Sequence, residues 1–350
     1  MKLGFSAGAF GPRYQLDLDL IQRVEALGYD SVWTAEAYGS DAVTPLAFIA
    51  AHTERIKLGT GILQIPARTP AMTAMTMATL DQLAGGGRVI VGLGLSGPQV
   101  VEGWHGQPWG KPATRVREYI EVLRKILARE EPVTYEGSEY QLPYQGPGSS
   151  GLGKPLKSIL HMQQLPIYVA SLGPANVKAT AELADGWLPM WFSPYRMEQY
   201  QPWLDEGMQR GTASDAPKAL DDFEIQAACT VIVNDDVGEC IRQMRPNVAL
   251  YMGGMGARSK NFHNDVMVRY GYGEAAETVQ DLYLSGRRAE AMEAVPDEFI
   301  DEMALIGPAD RIRERYKAWE DCGITGITVT ARQPEALELM ADLAGTRGGA

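Results

Sequence analysis

A rhythm in the chain narrows its fold more than any single motif. Segments rich in β-branched and aliphatic residues recur, each followed by an amphipathic segment, which is the pattern of βα units around a parallel sheet. Eight candidate strands stand out: LGFSAGAF near Leu3, SVWTAE near Val32, IKLGTGIL near Ile56, RVIVGLGL near Val89, IYVASL near Ile167, GWLPMWF near Trp187, IQAACTVIV near Ile225 and ITGITVTA near Ile324. Eight such units in 350 residues match a (β/α)8 TIM barrel, an α/β fold that places its sites at the C-terminal ends of the strands.

The intervening segments carry helix punctuation that agrees with this count. Leu20, Ile21, Val24 and Leu27 fall on one face of a helix, as required outside a barrel. Thr44-Pro45 and Thr69-Pro70 each set a capping hydroxyl before a proline at the first helical position, and Gly85 follows the second of these runs as a C′ residue. Residues 1–350 are expected to form one barrel domain interrupted twice. The first excursion, 133–164, is rich in Gly, Pro, Tyr and Ser and suits a loop across the C-terminal face; the second, 246–308, holds YMGGMGARSKNFHND and then mostly helical sequence.

Composition removes several classes of function. A hydrophobic share of 45% with 22% charged residues is that of an ordinary globular protein. The net charge of −12 disfavours nucleic acid and anionic membrane as partners, since both reward clustered Lys and Arg, and leaves a small molecule as the expected partner. The N-terminal segment lacks the apolar run of a signal peptide, and no stretch approaches a membrane span, so a cytoplasmic location is expected. Cys229, Cys240 and Cys322 match neither a zinc nor a CxxC spacing and read as buried thiols. His52, His105, His161 and His263 form no HxH or HExxH pair, so no metal is expected.

Gly92, Gly94 and Gly97 spell GxGxxG after a strand, but the context is wrong for dinucleotide binding. They lie in the fourth βα unit, Pro98 and later glycines delay the next strong helix to about Thr114, and the region twenty residues on is helical. They fit better as a close backbone approach to something flat at a barrel mouth.

Together and in order, GTGILQIPARTP, LGLGLSGPQVVEGWHG, LPYQGPGSSGLGKPLK, GPANVKATAELADGWLP and GGMGARSKNFHND resemble the luciferase-like flavin and deazaflavin oxidoreductases over nearly the whole chain, and most of all the actinobacterial branch that uses coenzyme F420, a deazaflavin. The resemblance implies a bulge with a non-prolyl cis peptide at Gly61-Ile62, behind the central ring of the cofactor. It implies further cofactor contacts at Thr60, Gly94 and Ser96. The phosphate tail would lie at Ser171, Leu172, Gly173 and Asn176, where a strand runs into a helix whose first N–H groups bind anions; ordinary capping by Ser171 is the other reading of that segment. Arg258 and Lys260 stand as partners for the carboxylates of the tail, or as solvated surface.

Glu36 closes the second strand where deazaflavin relatives present an acidic residue, although the histidine that often follows it is here Ala37. Glu102 and His105, just after the fourth strand, are the remaining candidates for proton transfer, and His105 reads equally as structural. Trp33, Trp104, Trp109, Trp187, Trp191 and Phe192 suit either a lipophilic pocket or the core. The leading expectation is an F420-dependent oxidoreductase passing a hydride between the deazaflavin and an organic alcohol, carbonyl or activated alkene. Two rivals keep the fold: an FMN-dependent monooxygenase and a non-enzymatic flavin-binding barrel. The resemblance also implies a homodimer.

Overall fold

The computed structural model describes residues 1–8, 12–161, 163–212 and 222–347. All eight expected strands are present, as β1 (Lys2–Ser6), β2 (Ser31–Thr34), β3 (Lys57–Thr60), β4 (Val89–Gly94), β5 (Ile167–Ala170), β6 (Gly186–Trp187), β7 (Glu224–Val233) and β8 (Gly326–Thr330). Ala9 and Phe10, placed at the end of the first strand by their sequence, lie outside the described residues. Each strand pairs in parallel with the next, and β8 pairs with both β7 and β1, through Gln226↔Gly326 and Lys2↔Gly326. The sheet therefore closes into a (β/α)8 TIM barrel. A short strand that the rhythm did not announce, Ala304–Gly307, runs parallel to the far half of β7. Thr230 pairs with both Ala304 and Thr330, so this strand lies on the side of β7 opposite β8.

Outside the barrel run α1 (Leu18–Ala26), α2 (Val43–Ala50), α3 (Pro70–Leu83), α4 (Pro112–Ala128), α5 (Pro174–Leu183), α6 (Met197–Thr212), α7 (Val237–Ala249) and, after β7's partner strand, Ala309–Asp321 and Pro334–Ala344, while α8 (Phe262–Arg269) belongs to the second insertion. Their apolar stripes meet the outward-facing residues of the strands in one core, with Leu20, Ile21 and Val24 of α1 buried on the predicted face. Thr69 caps α3 as expected, accepting from Met72 N at 3.1 Å, and Gly85 follows α3 with φ 93°. Thr44 does not cap α2. The helix starts earlier, because the carboxylate of Asp41 accepts from the N–H groups of Val43 (2.9 Å) and Thr44 (2.7 Å) and does the capping itself.

Inside the barrel, one large ring does most of the filling. Trp33, Ile90 and Tyr168 form a cluster separate from the outer core, with Leu188 packed on it. Strands adjacent to the large residues carry glycine: a Cβ on Gly4 would lie 2.7 Å from Trp33 Nε1, and one on Gly59 would run into the six-membered ring of Trp33. Gly186 stands in the same relation to Tyr168, at 2.8 Å from Cδ1. Large side chains on some strands and none on others is how a barrel of this size packs solid.

The first excursion forms a hairpin, Tyr135–Glu136 with Gln141–Leu142, laid along α4. The Glu118 carboxylate accepts from the N–H groups of Ser138, Glu139 and Tyr140 at 2.8–2.9 Å, and Glu139 ion-pairs with Arg115 at 2.7 Å beside the start of α4. From there the chain returns past Ser158, whose carbonyl accepts from Arg129 Nε, to β5.

Candidate active site at the barrel mouth

The third strand is broken at its C-terminal end. Gly59 pairs with Ile90, and pairing with β4 resumes at Leu63↔Leu93, so three residues face two and one is extra: a β-bulge. The Gly61-Ile62 peptide within it is cis. Thr60 repairs the broken ladder with its side chain, donating to Gly92 O (2.9 Å) and accepting from Gly92 N (2.8 Å). A Cβ on Gly92 would collide with Thr60 O, and one on Gly94 would lie 2.9 Å from Ile62 Cγ1. Gly92 and Gly94 of the GxGxxG run thus make room for the bulge of the neighbouring strand, and what they approach is the Thr60 backbone and the Ile62 side chain. Thr60 and Gly94 brace the bulge from within the wall, while Gly61 is exposed and Ile62 half-buried at the mouth. Ser96 lies half-buried just beyond β4.

Glu36, at the end of β2, is tied into this bulge and is no solvated loop carboxylate. Its side chain is only 8% exposed and ion-pairs with Arg68 at 2.9 Å, with Arg68 19% exposed. Glu36 also accepts from Gln64 N (2.9 Å) and Ala42 N (3.3 Å), and its own N–H donates to Ile62 O (3.3 Å). These partners occupy both carboxylate oxygens, which makes Glu36 a positioning residue for the ends of β2 and β3.

Gln64, unnoticed in the sequence, links that knot to His105. Its Nε2 donates to the carbonyls of Glu36 (3.1 Å) and Ala37 (2.8 Å), which leaves Oε1 facing His105 Nε2 at 2.6 Å. An amide oxygen only accepts, so the proton of His105 sits on Nε2 and Nδ1 is the nitrogen left for exchange. Glu102 is exposed, and its Oε1 accepts from Trp109 N at 3.3 Å.

At the end of β5, Ser171 is buried and its hydroxyl meets Thr180 Oγ1 at 2.9 Å. It does not cap α5. Gly173 is the N-cap, with no side-chain cap among the described residues, so the first N–H groups of α5 at Ala175 and Asn176 are open. Arg269 of α8 stands beside them, donating to Leu172 O at 2.8 Å, and its Nε is buried without a partner among the described residues. Arg258 pairs with Asp281, and Lys260 lies over the rings of Trp109 (5.3 Å) and Phe262 (5.7 Å).

The second excursion roofs the mouth. Met255 S accepts from Tyr38 Oη of the loop after β2 (3.8 Å), and Gly97, after β4, lies under Met255 O. Phe262 stacks on Trp109 with centroids 6.3 Å apart, Trp191 after β6 donates to His263 Nδ1 at 3.0 Å, and Arg269 reaches Leu172 after β5. Of the aromatic candidates, Trp187 and Phe192 are core and Trp33 fills the barrel; Trp109 and Trp191 are half-buried at the mouth, and Trp104 is exposed. Among the described residues, no three His, Cys, Asp or Glu side chains are grouped to hold a metal, and no helix is long and apolar enough to cross a membrane.

The geometry defines a (β/α)8-barrel protein whose mouth carries a bulged third strand, an open helix N-terminus after the fifth and a long insertion. The family profile described as luciferase-like monooxygenase matches residues 4–326, and the chain belongs to that family. Within it the similarity runs to the actinobacterial F420-dependent branch. Rv3520c of Mycobacterium tuberculosis, whose name carries coenzyme F420-dependent oxidoreductase as a provisional assignment, is 46% identical over 98% of this chain and 99% of its own. The 5,10-methylenetetrahydromethanopterin reductase of Archaeoglobus fulgidus is 28% identical over 93% of this chain and 92% of its own. Among solved structures, the coenzyme F420-dependent tetrahydromethanopterin reductase of Methanopyrus kandleri superposes with a TM-score of 0.75 at 25% identity, covering 97% of each chain.

Proposed function

We propose that this chain is an F420-dependent oxidoreductase that passes a hydride between the deazaflavin and an organic alcohol, carbonyl or activated alkene. One observation carries the reading: an exposed bulge at Gly61-Ile62 and an open α5 N-terminus flanked by Arg269 stand at the same end of one barrel, suited to a flat tricycle and its anionic tail respectively. The buried, unpartnered Nε of Arg269 fits an anion there. The name and similarity of Rv3520c support the same cofactor.

When bound, the deazaflavin supplies or accepts the hydride, and the chain provides geometry and proton handling. Gly61 and Ile62 back the ring, with Thr60 and Gly94 holding their bulge in place. Ser96 borders the ring, while Ser171, Leu172, Gly173 and Asn176 form the turn for the phosphate. Glu36 and Arg68 lock the ends of β2 and β3 together. His105, oriented by Gln64, moves a proton at Nδ1, and Glu102 flanks it. The insertion excludes water from the reacting centre. Phe48, Met72, Met75 and Leu83, exposed on α2 and α3, support a homodimer through that face, in keeping with a cytoplasmic enzyme.

Titration of the purified protein with coenzyme F420 and, separately, FMN tests the cofactor, followed by turnover over a panel of alcohols, ketones and enones. The deazaflavin should bind and FMN should not. Tight FMN binding without deazaflavin binding would move the chain to the oxygen-activating monooxygenases. Analytical ultracentrifugation tests the dimer.

A further inference from the structure

The roof is where regular geometry gives way. After α7 the chain widens into a π turn over Leu250–Gly254, a distortion that leaves carbonyls without their usual helical partners. Two buried asparagines take them. Asn261 Nδ2 donates to the carbonyls of Tyr251 (3.0 Å) and Met252 (2.9 Å), and Asn264 Nδ2 donates to those of Met252 (3.0 Å) and Ala276 (2.8 Å). Asn261 Oδ1 accepts from the N–H groups of His263 and Asn264 and so starts α8. The two amides therefore hold the π turn and the helix start in one fixed relation.

That relation brings three rings together. His263 meets Tyr251 edge to face at 4.9 Å between centroids, and Trp191 lies 5.3 Å from Tyr251 and 6.3 Å from His263. Trp191 reaches this position with a backbone φ of 59°, a conformation uncommon outside glycine. Its indole N–H, which can only donate, donates to His263 Nδ1 at 3.0 Å. The acceptor Nδ1 is thereby unprotonated, and the proton of the neutral ring lies on Nε2. Among the described residues Nε2 has no protein partner, nor is it a sealed, unpartnered atom, so it is open to a small molecule. Burial pushes the pKa of His263 down to about 4, which keeps the ring neutral. Of the basic side chains on the same segment, Arg258 pairs with Asp281 and Lys260 lies over the rings of Trp109 and Phe262.

We propose that His263 is a substrate-binding residue, its Nε2–H donating a hydrogen bond to the oxygen of an uncharged carbonyl substrate held against Trp191 and Tyr251. The choice of a carbonyl rests on the oxidoreductase reading above; the tautomer and the ring cluster do not. A neutral donor beside aromatic rings favours an uncharged substrate over an anionic one. A hydrogen bond aimed at a carbonyl oxygen strengthens as that oxygen gains negative charge.

Long-range 1H–15N spectra of the full-length protein, with and without coenzyme F420, test this directly, the His263 signals being identified by their loss in His263→Gln. The expected pattern is a neutral Nε2–H ring from pH 5 to 8 whose Nε2 resonance moves on titration with cyclohexanone. His263→Leu should weaken cyclohexanone binding about 3- to 10-fold, the loss of one hydrogen bond, while His263→Gln, which keeps a donor, retains most of it. An Nδ1–H tautomer, or a cyclohexanone titration that leaves the His263 signals still, would overturn the inference. Both readouts work on wild-type protein without cofactor, so failure of coenzyme F420 to bind would count against the proposed function alone.

Discussion

A histidine held neutral by burial leaves a mark on stability that can be measured. The ordinary pKa of a histidine is 6.5, and in the fold His263 titrates near 4. Above pH 6.5 the ring is neutral in folded and unfolded chains alike and contributes nothing. As pH falls below 6.5 the unfolded chain takes up the proton first, so stability is lost progressively until the folded pKa is reached near 4. The full difference corresponds to roughly 3.4 kcal/mol, and between pH 7 and pH 5 about 2 kcal/mol of it is spent. Tyr251, whose own pKa burial raises with help from Tyr38, stays neutral throughout this window. Glu25 and Asp41, where backbone N–H donors outweigh burial and lower the pKa, also lose stability on acidification. They do so equally in wild type and in His263→Gln, and the comparison removes them. Urea unfolding at pH 7 and pH 5 should therefore show wild type losing about 2 kcal/mol more than the variant. Parallel pH profiles for the two proteins would refute a buried neutral ring, and with it the reading of the roof.

Three further perturbations follow from the geometry. Glu36→Ala strands Arg68 and two backbone N–H groups, and should cost about 3–5 kcal/mol in urea unfolding, with Glu36→Gln costing less; an unchanged midpoint would dissolve the knot between β2 and β3. Gly59→Ala pushes a methyl into the Trp33 ring and should cost about 1–3 kcal/mol with an altered near-ultraviolet tryptophan signal, whereas a silent substitution would mean the barrel interior is loosely filled. Gln64→Leu frees His105 to turn, and should lower kcat about 10²-fold with little change in coenzyme F420 affinity; an intact kcat and pH profile would remove His105 from proton transfer.

The strands and the Thr69 cap were legible because each depends on residues close in the chain, a run of β-branched residues or a threonine before a proline, whereas the bulge at Gly61-Ile62 was placed by family resemblance. Thr44 misled because Asp41, three residues earlier, competes for the same N–H groups with a charged acceptor. What stayed hidden depends on barrel closure. The Glu36 partner, Arg68, is 32 residues away, and the two meet only because Ser31 pairs with Lys57 and the bulge then turns the chain. Trp191 and His263 are 72 residues apart, joined across the mouth by an insertion whose path no local periodicity encodes. The glycines at 92 and 94 do mark a close approach, but not to a flat ligand: nothing local in the chain shows that the approaching object is Thr60 and Ile62 of the preceding strand.

The insertion over the mouth rests on loops that follow β2, β4, β5 and β6, while its own shape is set internally by Asn261 and Asn264. Floor and ceiling are thus built by different stretches of polypeptide and answer to different constraints. If His263 meets the substrate as proposed, exchange of residues such as Tyr251, Phe262 or His263 is expected to alter what binds under the roof without disturbing the bulge or the α5 terminus. A lineage carrying this chain has, in effect, a fixed workbench and a replaceable jig, and diversification of its substrates is expected to be written into ring positions such as 251, 262 and 263 while Asn261, Asn264, Arg269 and the barrel ends hold still.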